Sequence, residues 1–114
     1  MKVIIKENAE LGKNSEECKT LEYDFKDKDI DIGVATITGR FPSKDYCVNT
    51  ICKELIYVLE GTGSLCFEKE KINYKKGDAI LIEPNDKYYW DTEYSVVSMS
   101  CTPSWNTDQH KLVK

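Results

Sequence analysis

Histidine is nearly absent from this chain: His110 is the only one among 114 residues. That scarcity excludes designs that use two imidazoles. No metal site built on two His ligands can form within one chain. A Ser–His or Cys–His pair would have to recruit a residue near the end of the sequence. Arginine is equally scarce, with Arg40 alone, and lysine supplies the rest of the 16 basic residues. The lysines are scattered among 20 acidic residues, the net charge is −4, and no basic block occurs. Nucleic acid is therefore not an expected partner. No apolar run approaches the ~20 residues of a membrane span, so no membrane partner is expected either. The opening stretch Met1-Lys2-Val3-Ile4-Ile5-Lys6 is too short to act as a secretory signal. The five cysteines are an odd number. That fits reduced thiols in a cytoplasmic protein better than a disulfide framework.

What remains is ordinary material for a folded domain. Hydrophobic residues make up 40% and charged residues 32%, which argues against disorder. This length predicts one domain, residues 1–114, with a single core. Glycines punctuate the chain at Gly12, Gly33, Gly39, Gly61, Gly63 and Gly77. Between them lie short apolar segments. Ile30, Ile32 and Val34 alternate within residues 30–37, and Leu21, Tyr23 and Phe25 alternate just upstream. Residues 54–60 and 79–82 are short apolar runs, and Val97, Met99 and Cys101 share one face of residues 96–101. These are strand patterns bounded by turn residues, and their regular spacing predicts an all-β sandwich or barrel. Asn14–Cys18 reads as a loop or one helical turn. Asn106–His110 reads as a short final helix with Asn106 or Thr107 as its N-cap.

The spacing from Gly39 to Trp105 resembles the cupin superfamily, small β-barrels of the jelly-roll type. The first cupin motif ends in a Glu followed seven positions later by a Gly, here Glu54 and Gly61. The second motif opens on a Gly and continues to a Pro, here Gly77 and Pro84, with a His position that falls on Tyr88 and an Asn position that falls on Thr92. The two His positions of the first motif fall on Cys47 and Asn49. The resemblance implies a double-stranded β-helix with its motif-bearing core at about residues 30–102. In metal-binding cupins, three His and one Glu hold a metal ion at these positions. Here Cys47, Asn49 and Tyr88 replace the three His, and only Glu54 is retained. The resemblance therefore implies a barrel without the usual metal site, and no cofactor is expected. Asn49–Glu54, Tyr88–Trp90, Pro103–Trp105 and Gln109–His110 resemble a subgroup of short bacterial cupins.

Strand alternation fills in the expected pocket. With Glu54 inward, Cys52, Ile56 and Val58 share its face while Leu55 and Tyr57 face away. Tyr88 and Trp90 share a face, with Tyr89 opposite. The expected pocket is then Cys47, Asn49, Cys52, Glu54, Tyr88 and Trp90, with Arg40 nearby to anchor a carboxylate or phosphate. Each has a plainer alternative. Glu54 reads equally as a buried acid hydrogen-bonded to Tyr88 or Asn49. Tyr88 and Trp90 read as core aromatics that fill space, the cysteines as small buried hydrophobes, and Arg40 as a surface salt bridge. A zinc site from Cys47, Cys52 and Glu54 has no supporting ligand spacing. His110 is expected on the outside of the barrel against Trp105, far from the pocket.

Two functions follow. One is a metal-independent cupin that binds a sugar-like or aromatic small molecule. The other is a metal-independent epimerase- or isomerase-type enzyme with Glu54 as general base and Tyr88 as general acid. A divalent-metal enzyme ranks below both. A homodimer is expected, because small cupins commonly pair through their barrel strands.

Overall fold

The computed structural model describes residues 1–114. Nine strands make up most of it: β1 (Glu10–Ser15), β2 (Cys18–Glu22), β3 (Gly33–Phe41), β4 (Tyr46–Asn49), β5 (Lys53–Phe67), β6 (Lys71–Lys75), β7 (Ala79–Ile82), β8 (Tyr88–Thr102) and β9 (His110–Val113). The helical content is two single 3₁₀ turns, Lys6–Asn8 and Thr107–Gln109. All strand pairs are antiparallel.

Two long strands organise the barrel. β5 and β8 each run 15 residues and pair with each other from Lys53↔Thr102 to Phe67↔Tyr88. The register shifts between Val58 and Glu60 and again between Thr62 and Ser64. Such bulges bend a strand and increase its twist, which lets one strand serve both walls. The other edge of β8 pairs with β3 and then, at Cys47↔Tyr88, with β4. β4 in turn carries β9. β7 and β6 flank the first and second halves of β5.

The two motif glycines have separate jobs. Gly61 has φ +87°, and a Cβ there would collide with the Tyr94 carbonyl oxygen across the ladder. Gly77 has φ +94° with open space around it, so its requirement is conformational. Its N–H donates to the Val58 carbonyl, and Val58 N–H donates to Asp78 O. Those bonds seat the turn against β5.

Alternation along β5 follows expectation: Cys52, Glu54, Ile56 and Val58 are buried, while Leu55 and Tyr57 are exposed. Ile37, Ile56, Val58, Leu65, Ile82 and Val97 are almost fully buried and form the core with Cys47, Tyr74, Tyr88 and Trp90. Each such aliphatic side chain contributes about 1.5–3 kcal/mol by leaving water.

The ends of the chain differ in part from the sequence expectation. Within Asn14–Cys18, expected as a loop or one helical turn, Glu16 and Glu17 make the turn of the β1–β2 hairpin. The alternation of Leu21, Tyr23 and Phe25 does not extend the strand: β2 stops at Glu22, and residues 23–32 form a connecting strap whose Tyr23, Phe25 and Asp31 line the cavity. The segment 106–110 forms only one 3₁₀ turn, capped by the Asn106 side chain, which accepts from the backbone N–H groups of Asp108 and Gln109. The chain then continues as β9. The 3₁₀ turn gives way because Asn49 and its neighbours on β4 have an unpaired edge that His110–Val113 can fill.

Candidate functional site

A cavity of about 750 Å³ lies under the strap. Asn49 from β4, Glu54 from β5, Tyr88, Trp90 and Cys101 from β8, and His110 from β9 contribute to its wall. Antiparallel pairing brings these residues together from distant positions. Glu54 is opposite Cys101, and Asn49 is opposite His110. The Asn85 N–H donates to Asn49 O at 2.8 Å, joining the second motif loop to the first.

Glu54 is 7% exposed. The Cys101 thiol donates to its Oε2 at 3.4 Å. The Tyr88 hydroxyl lies 3.5 Å from its Oε1, at the outer limit of a hydrogen bond. No cation pairs with it, so loss of hydration dominates. Burial pushes its carboxyl above the usual 4.5, the nearby Asp31 charge adds to the rise, and the Cys101, Tyr88 and Asn49 side chains oppose it. The Tyr88 hydroxyl is held well above its ordinary range, first by burial and then by the Glu54 charge. Both groups therefore hold their protons to higher pH than they would in water.

Asn49 is 1% exposed. Its Oδ1 accepts from Trp105 Nε1 at 3.2 Å and lies 3.1 Å from His110 Nδ1. Its Nδ2 has no partner. Trp90 is buried edge-on against Tyr74, with ring centroids 5.6 Å apart, so it is both core and cavity wall.

Three expected pocket residues lie elsewhere. Cys47 is in the core, where its thiol donates to Tyr88 O at 3.4 Å and burial pushes its pKa up to about 12. Cys52 is turned to the C-terminal segment, and its sulfur accepts from Gln109 Nε2 at 3.1 Å. Arg40 is outside the cavity. Its guanidinium donates to Pro42 O at 2.6 Å and Asp45 O at 3.0 Å and lies 3.8 Å above the Tyr89 ring. It clamps the β3–β4 connection and makes no salt bridge. Thr92, at the motif's Asn position, is also structural: its hydroxyl donates to Thr62 O and contacts Ser95 Oγ, which in turn contacts the Tyr74 hydroxyl.

Conversely, His110 packs with Trp105 as expected, at 5.6 Å between centroids, but lines the cavity instead of lying far from it. Trp105, Cys101 and Asp31 are cavity residues that sequence reasoning did not place there. Asp31 ties the strap down by accepting from Cys101 N at 2.7 Å and Trp105 N at 2.8 Å. Only the alternation of Val97, Met99 and Cys101 carried a signal for any of them.

The donor set does not fit the metal of metal-binding cupins. At the four positions, Cys47 is a protonated core thiol, the Asn49 carbonyl oxygen is taken by Trp105 and His110, and Tyr88 retains its proton. Glu54 alone remains a conventional ligand. Nowhere do three His, Cys, Asp or Glu side chains converge as a metal site.

A jelly-roll barrel with its cavity between the two motifs defines a cupin, and residues 50–100 match the Cupin domain family model. The chain has the cupin fold and carries the Cupin domain match over that segment. No curated protein sequence matches it significantly. Among solved structures it is similar to Pac13, a nucleoside dehydratase, with a TM-score of 0.85 at 16% identity, covering 100% of this chain and 92% of that one. A Streptomyces Pac13 variant with uridine superposes with a TM-score of 0.83 at 17% identity, covering 96% and 88%. The polyketide cyclase RemF from Streptomyces resistomycificus gives 0.76 at 14% identity, covering 100% and 86%. At these identities the likeness concerns the fold.

Proposed function

We propose that this cupin binds a small organic molecule in its barrel without a metal ion. Glu54 and Asn49 supply the hydrogen bonds, and Tyr88 and Trp90 supply apolar surface. One observation carries the reading: a buried carboxyl and an unpartnered buried amide N–H stand together at the wall of a cavity of about 750 Å³. Leaving such a donor unpaired costs roughly 1–3 kcal/mol, and a ligand oxygen would remove that cost. The size and mixed lining suit a small-molecule site. The expected ligand is sugar-like or aromatic. A nucleoside combines both features, and the similarity to Pac13 supports uridine as the first probe.

The test is a thermal-shift screen against uridine, sugars, sugar phosphates and aromatic acids. At least one class should raise Tm in a concentration-dependent way. Glu54→Gln should weaken that response at least about tenfold, the loss of one charge-linked hydrogen bond. Silence across all four classes contradicts the proposal.

The Glu54–Tyr88 contact supports a second reading, an acid/base enzyme. Glu54, once ionised, would remove a substrate proton, and Tyr88, which holds its own proton firmly, would deliver one. For any substrate found, Glu54→Gln should abolish turnover while leaving the fold intact. Full activity in that variant excludes Glu54 as the base.

We also propose a homodimer through the outer face of β5 and β7. Leu55 and Leu81 lie directly opposite each other on this face and are 54% and 50% exposed, with Tyr57 beside them at 48%.

A further inference from the structure

We infer that Asn49 and Trp105 hold the single imidazole of this chain in its Nδ1–H form, so that His110 presents a bare Nε2 at the cavity as a hydrogen-bond acceptor. There it accepts a hydrogen bond from a ligand hydroxyl or N–H. The ligand half rests on the small-molecule reading above; the imidazole half does not.

The chemistry of the partners fixes each step. An indole N–H can only donate. Trp105 Nε1, 3.2 Å from Asn49, therefore requires the amide oxygen on that side. That same oxygen lies 3.1 Å from His110 Nδ1. An amide oxygen can only accept, so Nδ1 carries the proton. Nε2 makes no hydrogen bond within the chain and is not fully buried. Burial lowers the His110 pKa from 6.5, which keeps the ring neutral and the Nε2 lone pair free near neutral pH. The backbone makes the arrangement rigid, because Asn49 and His110 are directly opposed in the β4–β9 ladder.

With its oxygen committed, the Asn49 amide turns Nδ2 away from Trp105, toward the Glu54 carboxyl. Nε2 lies on the far side of the imidazole from Asn49, so it acts alone as an acceptor. A ligand hydroxyl or N–H satisfies it by donating. A carbonyl or carboxylate oxygen can only accept and leaves Nε2 unmet.

The experiment is a long-range ¹H–¹⁵N correlation spectrum of uniformly labelled full-length protein at mildly alkaline pH. One histidine makes the assignment unambiguous. Nδ1 should appear protonated and Nε2 bare. Neutral histidine in water prefers the opposite form, so a protonated Nε2 in the unaltered protein overturns the inference. In Asn49→Leu the ring should revert to Nε2–H, and retention of Nδ1–H there removes Asn49 as the cause. Trp105→Phe, at a partly exposed position, should lower the Nδ1–H population even where the Leu variant does not fold; an unchanged population removes Trp105 from the lock. For the ligand half, uridine, ribose and glucose are added in turn. At least one should shift the Nε2 resonance, and His110→Phe should weaken its binding at least tenfold. No shift with any of the three overturns the acceptor role of Nε2, whereas the ligand-free spectrum alone decides the lock.

Discussion

Glu54 sits in the barrel wall with a thiol and a phenol as its hydrogen-bond donors and no cation. Its ionised form is therefore less comfortable folded than unfolded, and stability must depend on pH. A carboxyl whose folded pKa lies above 4.5 binds more protons folded than unfolded in the window from 4.5 up to that folded value. Through that window stability falls as pH rises, and the penalty is constant above it. His110 has the opposite sign. Its folded pKa lies below 6.5, so stability is lost as pH falls through 6.5 toward that lower value. Denaturant titrations of the unaltered protein and of Glu54→Gln across this range isolate the carboxyl. The variant should lose the decline above 4.5; an unchanged decline assigns it to other groups. Residue-level legibility was uneven for a physical reason. Glu54, Asn49, Tyr88 and Trp90 fall at motif positions, and period-two alternation gave their direction. His110 lies 61 positions from Asn49, and no local pattern announces a partner across that distance. Arg40 was misplaced because its charge suggested an anion, whereas two backbone carbonyls and the Tyr89 ring hold it outside.

At the level of elements, one buried side chain joins the β4–β9 ladder in holding the C-terminal segment. Gln109 is 2% exposed. Its Oε1 accepts from Ile51 N at 3.0 Å and Cys52 N at 2.9 Å, and its backbone oxygen accepts from Thr50 N at 2.9 Å. This latch places β9, and with it His110, beside β4. Gln109→Leu strands two backbone donors and should cost roughly 1–3 kcal/mol for each. Hydrogen exchange should quicken in β9 while β5 stays protected. Equal protection in both would show that the ladder, not Gln109, holds the strand. The long strands were readable because burial alternates along them. β9 was not, because Lys111 and Leu112 are exposed and its four residues pair with an edge that only the folded barrel creates. The strap over residues 23–32 likewise carried a false strand signal: Tyr23 and Phe25 are half-buried and Asp24 is exposed, yet none of the three lies in a strand.

The whole molecule keeps the cupin barrel and gives its centre to new neighbours. The frame was the most legible part of the sequence, since glycine turns and buried aliphatics fix it locally. The cavity was only half legible, since its strap and its C-terminal wall arrive by tertiary pairing. On the outside, Leu55 and Leu81 support self-association. Light scattering should give twice the 13.1 kDa chain mass, and Leu81→Lys should return it toward one. A monomer at micromolar concentration rejects the dimer. On the inside, the two tryptophans provide the reporter. Trp90 and Trp105 are the only ones in the chain, and both line the cavity. Indole ¹H–¹⁵N resonances are followed while chelator-treated protein is titrated with uridine, sugars, sugar phosphates and aromatic acids. A metal-free ligand site predicts that both indole signals shift and saturate with at least one of these, with or without chelator. Signals that stay fixed throughout, or that move only after a divalent metal is added, would contradict it.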